Sequence, residues 1–114
     1  MDPGAQLHAL ADPTRRAIFD LVRHRPSSVR ELTDRMPISQ PAVSQHLGVL
    51  LDAHLVDATK RGTRRIYRPD PEGVGIVRAW ADTLWDDALD AFVDAAEHEH
   101  GRTDHTHDQQ GAER

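Results

Sequence analysis

Residues Pro37 to Leu51 read P-I-S-Q-P-A-V-S-Q-H-L-G-V-L-L. Val43, Leu47, Leu50 and Leu51 recur at helical spacing and form an apolar stripe that has to pack inward. Pro41, Ser44, Gln45, Gly48 and Asp52 fall on the opposite side, which is small, rich in amides and hydroxyls and almost without formal charge. A helix that merely faces water would carry Glu, Lys and Arg there. Short side chains that donate and accept hydrogen bonds suit a surface that approaches base edges in a DNA groove. The spacing therefore predicts a recognition helix over 39–53.

The residues before it supply the partner such a helix needs. Leu7, Leu10 and Ala11 predict a short first helix ended by Asp12-Pro13. Asp12 then caps a second helix with Pro13 at its first position, where the missing N–H costs nothing. That helix runs to about His24 with Ile18, Leu21 and Val22 inward. Arg15, Arg16, Arg23 and Arg25 lie around its solvent side, either as phosphate contacts or as a solvated basic face. Pro26-Ser27-Ser28 breaks it, and Ser28 with Glu31 three positions on matches a capping box. The third helix buries Val29, Leu32 and Met36 and stops at Pro37. Only about four residues lead to the next helix, for which Ser39 is the expected cap. Two short helices joined this tightly make a helix-turn-helix.

Beyond Leu55-Val56 the pattern changes. Asp57 to Lys60 and Arg64 to Arg68 flank Arg61-Gly62-Thr63, and β-branched and aromatic residues around a glycine-centred turn predict a two-stranded hairpin over 56–68. It holds Lys60, Arg61, Arg64, Arg65 and Arg68. A hairpin this short has to rest on the helices. A basic hairpin beside a recognition helix is a wing, able to enter a narrow minor groove or clamp phosphates.

Asp70-Pro71 starts a last helix that can run to about His98 or His100. Val77, Ala81, Leu84, Ala88, Ala91 and Ala95 alternate four- and three-residue spacings, a heptad-like seam with Trp80, Trp85 and Phe92 beside it. Such a face fits close packing on a second copy. The reading is thus mainly α with a small β-hairpin: a winged helix-turn-helix of about five helices and a two-stranded antiparallel wing. Residues 1–100 form the DNA-binding and dimerisation domain, and 101–114 a disordered acidic tail containing histidines.

Composition narrows the function. The net charge of −5 is unevenly spread: residues 39–69 carry five basic and two acidic groups, whereas 70–114 carry three basic and twelve acidic. DNA attraction depends on the face presented to the phosphates, so the middle third is the electrostatic candidate. With no cysteine, disulfides, thiolate catalysis and cysteine metal sites are excluded. No apolar run approaches the length of a membrane span, and the N-terminus lacks the regions of a signal peptide, so a cytoplasmic protein without a membrane partner is expected.

L-A-D-P-T-R-R-A-I (10–18), E-L (31–32), the I-S-Q-P-A-V-S-Q-H-L run and R-G-T-R-R-I-Y-R (61–68) together resemble the ArsR/SmtB family of bacterial winged-helix repressors, which act as homodimers. The resemblance covers about residues 5–95 and is to members without the usual metal-sensing ligands. It implies that the helix from Ser39 enters the major groove and the hairpin the neighbouring minor groove. Matched position by position, it implies Ser39, Gln40, Pro41, Ser44, Gln45 and His46 as the DNA-facing set, joined by Arg61, Thr63, Arg64 and Arg65 of the wing. It also implies a dimer interface from the first and last helices, comprising Leu7, Leu10, Val77, Trp80, Ala81, Leu84, Trp85, Ala88, Ala91 and Phe92. Two departures stand out: Gly48 replaces a usual basic residue, and His54 replaces a usual helix-ending glycine, which predicts strain there.

Metal sensing is the alternative. Val29, Arg30 and Glu31 stand where the family's cysteine ligands would be, leaving no usual metal site and no expected cofactor. Asp90, Asp94 and His98 at i, i+4, i+8 and the histidines His98, His100, His105 and His107 are the remaining candidates for a metal-responsive repressor. An enzyme is not expected: Ser44, His46 and Asp52 share one helix, and no nucleophile–base–orienter relay can be built there. The partners are double-stranded DNA and a second copy, with any effector open.

Overall fold

The computed structural model describes residues 2–106, with side chains as far as His98. Two units follow one another along the chain, Met1–Trp80 and a second beginning at Ala81. The element order is α1 (Gly4–Ala11), α2 (Pro13–His24), β1 (Ser27–Ser28), α3 (Val29–Arg35), α4 (Gln40–Asp52), β2 (Val56–Arg61), β3 (Arg64–Pro69) and α5 (Pro71–Thr106).

Helix starts follow local capping chemistry. Asp12 Oδ1 accepts from the Arg15 amide at 3.0 Å. Ser28 and Glu31 form the complete capping box, Ser28 N donating to Glu31 Oε1 at 2.8 Å and Glu31 N to Ser28 Oγ at 3.2 Å. Ser39 Oγ accepts from Ala42 N at 3.3 Å, so Ser39 caps α4 as its spacing predicts. Asp70 Oδ1 accepts from Glu72 N at 2.9 Å and opens α5.

The end of α4 is a Schellman motif. The amides of His54 and Leu55 donate back to the carbonyls of Leu51 and Leu50, each at 3.0 Å. His54 sits at the left-handed position with φ 57°, the only non-glycine with positive φ among the described residues. The strain expected from a histidine in a glycine position is therefore present.

Two expectations change. The sheet has three strands in the order β1-β3-β2, because Ser27 and Ser28 pair antiparallel with Tyr67 and Ile66. Two serines are too short a run to show strand alternation, and serine has little β preference, so only the pairing reveals the strand. The arginines of α2 also do not all face water. The Arg15 guanidinium donates to Ala9 O at 3.0 Å and that of Arg16 to Leu10 O at 3.2 Å, so both satisfy carbonyls left open at the end of α1.

The core of the first unit joins Ile18, Phe19 and Val22 of α2, Leu32 of α3, Val43, Leu47 and Leu50 of α4, and Leu55, Val56 and Tyr67 of the sheet. Leu10, Leu51 and Val77 pack partly against it. The apolar stripe read in α4 is thus the inward face. A further contact fixes the rear of α4: Gln6, buried in α1, donates through Nε2 to Ala53 O at 2.8 Å.

Helix α5 continues to Thr106, into the stretch read as tail; residues 107–114 lie outside the described residues. Within the second unit, Leu84, Trp85, Leu89, Phe92 and Val93 are all exposed, Trp85 at 66%. Asp82, Asp86, Asp90 and Asp94 are exposed too, at a four-residue spacing that groups them on one face of the same helix. Among the described residues, no helix is long and apolar enough to cross a membrane.

Candidate nucleic-acid interface

The outward side of α4 is built by subtraction. Val43, Leu47 and Leu50 are wholly buried, which turns Gln40, Pro41, Ser44 and Gln45 to solvent. Gln40, Ser44 and Gln45 make no side-chain hydrogen bond within the described chain, so their donors and acceptors are open to an external partner. Ser39 is exposed as well, with its hydroxyl engaged as the cap. His46 differs from this group. It is half-buried, and after the Arg15 backbone N–H, which does most, it is the smallest of the groups that hold the Asp12 carboxyl below its ordinary value. A Cβ at Gly48 would meet nothing within 4 Å, so the position is open surface.

The wing is a tight hairpin. Arg61 pairs with Arg64, leaving Gly62-Thr63 as a two-residue loop, one residue shorter than the turn read from the sequence. Gly62 has φ 64°, which the first position of a type II′ turn requires and glycine accepts without strain. Strand alternation and exposure then set the arginines apart. Lys60, Arg61 and Arg65 are exposed and hold no ion pair in the described chain. Arg68 instead meets Asp57 across the strands at 3.5 Å.

Arg64 is tied down. Its guanidinium lies 3.3 Å from Glu31 Oε1 and donates to Ser28 Oγ at 3.1 Å. The start of α3 and the wing are thereby joined through one arginine, along a surface cleft also lined by Arg30, Asp34, Thr63 and Arg65. Nothing local in the sequence connects Glu31 to a residue 33 positions later.

Glu31 pays for none of this with protonation at neutral pH. The Ser28 backbone N–H, then the Ser28 hydroxyl and the Arg64 and Arg25 charges, hold its carboxyl below the ordinary value against a smaller opposing effect of burial. A carboxylate depressed on folding stabilises the fold at every pH above its unfolded pKa, and the contribution is lost as pH falls through the folded value. Glu31→Gln is therefore expected to lower the thermal midpoint by a few degrees at neutral pH and to leave it unchanged below the carboxylate range. Melting curves of both proteins at the two pH values check this; an equal difference at both would remove the charge from the explanation.

The dimer-interface candidates read for the first and last helices fall into two groups. Leu7, Leu10, Val77 and Trp80 of the first unit are half-buried, and Leu10 and Val77 are already used in part by the chain's own core. In the second unit Ala81, Leu84, Trp85, Ala88, Ala91 and Phe92 are exposed. Leu89 and Val93, which the seam reading passed over, are exposed beside them. Of the histidine candidates, His98 is exposed, and the side chains of His100, His105 and His107 lie outside the described residues.

Comparison with known proteins bears directly on this geometry. A helix-turn-helix domain profile matches residues 10–58, from the end of α1 into β2. The chain is 46% identical over 91 residues to an HTH-type transcriptional regulator of Mycobacterium tuberculosis, Rv2034, covering 80% of this chain and 85% of that one. A crystal structure described as a possible transcriptional regulator for arsenical resistance shares 42% identity with a TM-score of 0.65, over 79% of this chain and 94% of the other. The chain belongs to the ArsR/SmtB family.

As an ArsR/SmtB regulator it is a DNA-binding transcriptional regulator and not an enzyme. The winged helix-turn-helix expected from the sequence is the fold present. One more ArsR-type neighbour is informative about assembly: the solution structure of Mb0332 from Mycobacterium bovis, residues 1–100, is described as a homodimeric winged helix-turn-helix DNA-binding domain. It is 28% identical with a TM-score of 0.60, over 75% of this chain and 80% of that one.

Proposed function

We propose that this ArsR/SmtB chain is a homodimeric repressor, acting in the cytoplasm, that binds an inverted-repeat operator with α4 in the major groove and the wing over the adjacent minor groove. The observation that carries the reading is the open face of α4, with Gln40, Ser44 and Gln45 exposed and unpaired, together with the exposed, unpaired wing cations Lys60, Arg61 and Arg65. Ser39, Gln40, Ser44 and Gln45 read base edges, with Pro41 shaping the approach. His46, on the flank toward α2, meets the phosphate backbone. Arg61, Thr63 and Arg65 hold phosphate or minor-groove edges, and Arg64 positions the wing through Glu31 and Ser28.

Dimerisation through α5 is supported by the exposure of Leu84 (50%), Trp85 (66%) and Phe92 (56%), which a lone chain would leave in water. It is supported further by the homodimeric Mb0332 domain. A twofold dimer sets two recognition helices about one helical turn apart, roughly 34 Å.

Selection from random-sequence DNA tests the whole reading. The expected result is a motif of two inverted half-sites; enrichment of nothing would leave a dimerising domain without sequence recognition. Within the enriched site, Gln45→Ala should lose about 1–3 kcal/mol of discrimination at one base pair per half-site. Arg65→Ala should weaken all sequences alike and flatten the salt dependence by about one unit per protomer. Gel-shift titrations at several salt concentrations separate the two effects.

A further inference from the structure

We infer that His54, Asp70 and Glu72 form a binding site for one divalent cation of the zinc class, at the junction between the end of α4 and the start of α5. One imidazole nitrogen and two carboxylate oxygens from these residues all lie within 4.8 Å of one another, the only such group found among the described residues. They come from two separate elements. His54 is the left-handed residue closing α4, and Asp70 and Glu72 flank Pro71 at the first turn of α5.

The backbone between these elements is held tightly, so the three groups are brought together by the fold. Gly73 N donates to His54 O at 2.8 Å, and Asp70 N donates to Leu55 O at 2.9 Å. Asp70 spends Oδ1 on capping Glu72 N and keeps its other oxygen for a cation. His54 and Glu72 make no ion pair or side-chain hydrogen bond in the described chain. Nitrogen with two oxygens is a donor set for zinc, nickel or cobalt, whereas calcium and magnesium favour oxygen alone. Zinc bonds of about 2.0–2.2 Å put tetrahedral ligands roughly 3.4 Å apart, so groups that already lie within 4.8 Å need contract by about 1.4 Å at most on binding. Exposed Glu72 can supply that by a rotamer change. The positive end of the α5 dipole opposes a cation there, and two full negative charges outweigh its half charge.

The site shares no residue with the histidine candidates at the end of the chain, His98, His100, His105 and His107. Calorimetric titration of Zn²⁺ into the full chain, His54→Gly and Glu72→Gln therefore isolates it, since every protein keeps the same terminal histidines. His54→Gly also relieves the left-handed strain, so it folds without the ligand. The expected result is one Zn²⁺ equivalent fewer, or one site weakened at least tenfold, in both variants. Zn²⁺ should raise the thermal midpoint of the parent chain more than that of either variant. Identical stoichiometry and affinity in all three proteins would overturn the site. Binding of Mg²⁺ or Ca²⁺ at this site in preference to Zn²⁺ would overturn its chemical class.

Discussion

Gly73→Ala is expected to cost the fold about 3 kcal/mol or more, at the upper end of the range for added atoms in a packed contact. A Cβ at Gly73 would run into the His54 carbonyl and stand 2.8 Å from the Ala53 carbonyl. Both obstacles are backbone atoms in a fully bonded helix end, so neither can swing aside as a side chain would. The same glycine donates its N–H to the His54 carbonyl, so displacing α5 to make room also breaks that bond. For a domain of this size the thermal midpoint should fall by roughly 10–25 °C. Gly75→Ala, two residues further along the same helix, is the control. Nothing lies within 4 Å of its Cβ, and it should be neutral or gain up to about 1 kcal/mol from helix propensity. Circular dichroism melts of the two variants decide the matter. A Gly73→Ala protein melting beside the parent would mean that the two helices do not meet as closely as described.

The second large effect concerns assembly. Leu84→Asp combined with Phe92→Asp should turn the proposed dimer into a monomer, because each change would bury an unpaired carboxylate in an apolar interface. Both positions are already exposed in the single chain, so the secondary structure of the monomer should survive. Operator affinity should then fall by roughly a hundredfold to ten-thousandfold, since each half-site loses the effective concentration supplied by the other. Sedimentation and operator titration on the same samples test both halves of this prediction. Asp90→Asn, on the acidic side of α5, should alter neither. A doubly substituted protein that stays dimeric would move the interface elsewhere.

What could be read from the sequence followed the range of the interactions concerned. Asp12, Ser28, Ser39 and Asp70 act on amides two or three residues away, so their capping spacings are visible in the chain itself. The inward stripe of α4 and the turn at Gly62 were legible for the same reason. His54 was legible as a departure, because the position after a helix end demands a conformation that glycine alone adopts freely.

Contacts between distant residues were not legible. Arg64 reads as one more cation of the wing until Glu31 and Ser28 are found beside it. Gln6 reads as a polar interruption in a weakly apolar helix, yet it is buried on a carbonyl 47 positions away. Ser27 and Ser28 carry no strand signal at all. The sequence seam in α5 includes Leu84, with Phe92 read beside it, but not Leu89 and Val93, because a strict heptad is narrower than the apolar face that the helix exposes.

The grip on the rear of α4 has a mechanical consequence. Gln6 of α1 holds the Ala53 carbonyl and Gly73 of α5 holds the His54 carbonyl, so two outer helices share one fulcrum on the reading helix. The 13 residues of α4 make a stiff arm of about 20 Å from that fulcrum to the Ser39 end. Tilting such an arm by about 10° moves its far tip by roughly 3.5 Å, more than the distance over which a hydrogen bond to a base edge survives. With α4 seated in the groove as proposed, a small strain delivered at the fulcrum would reach the bases amplified, a leverage set by Gln6 and Gly73 closing on adjacent carbonyls.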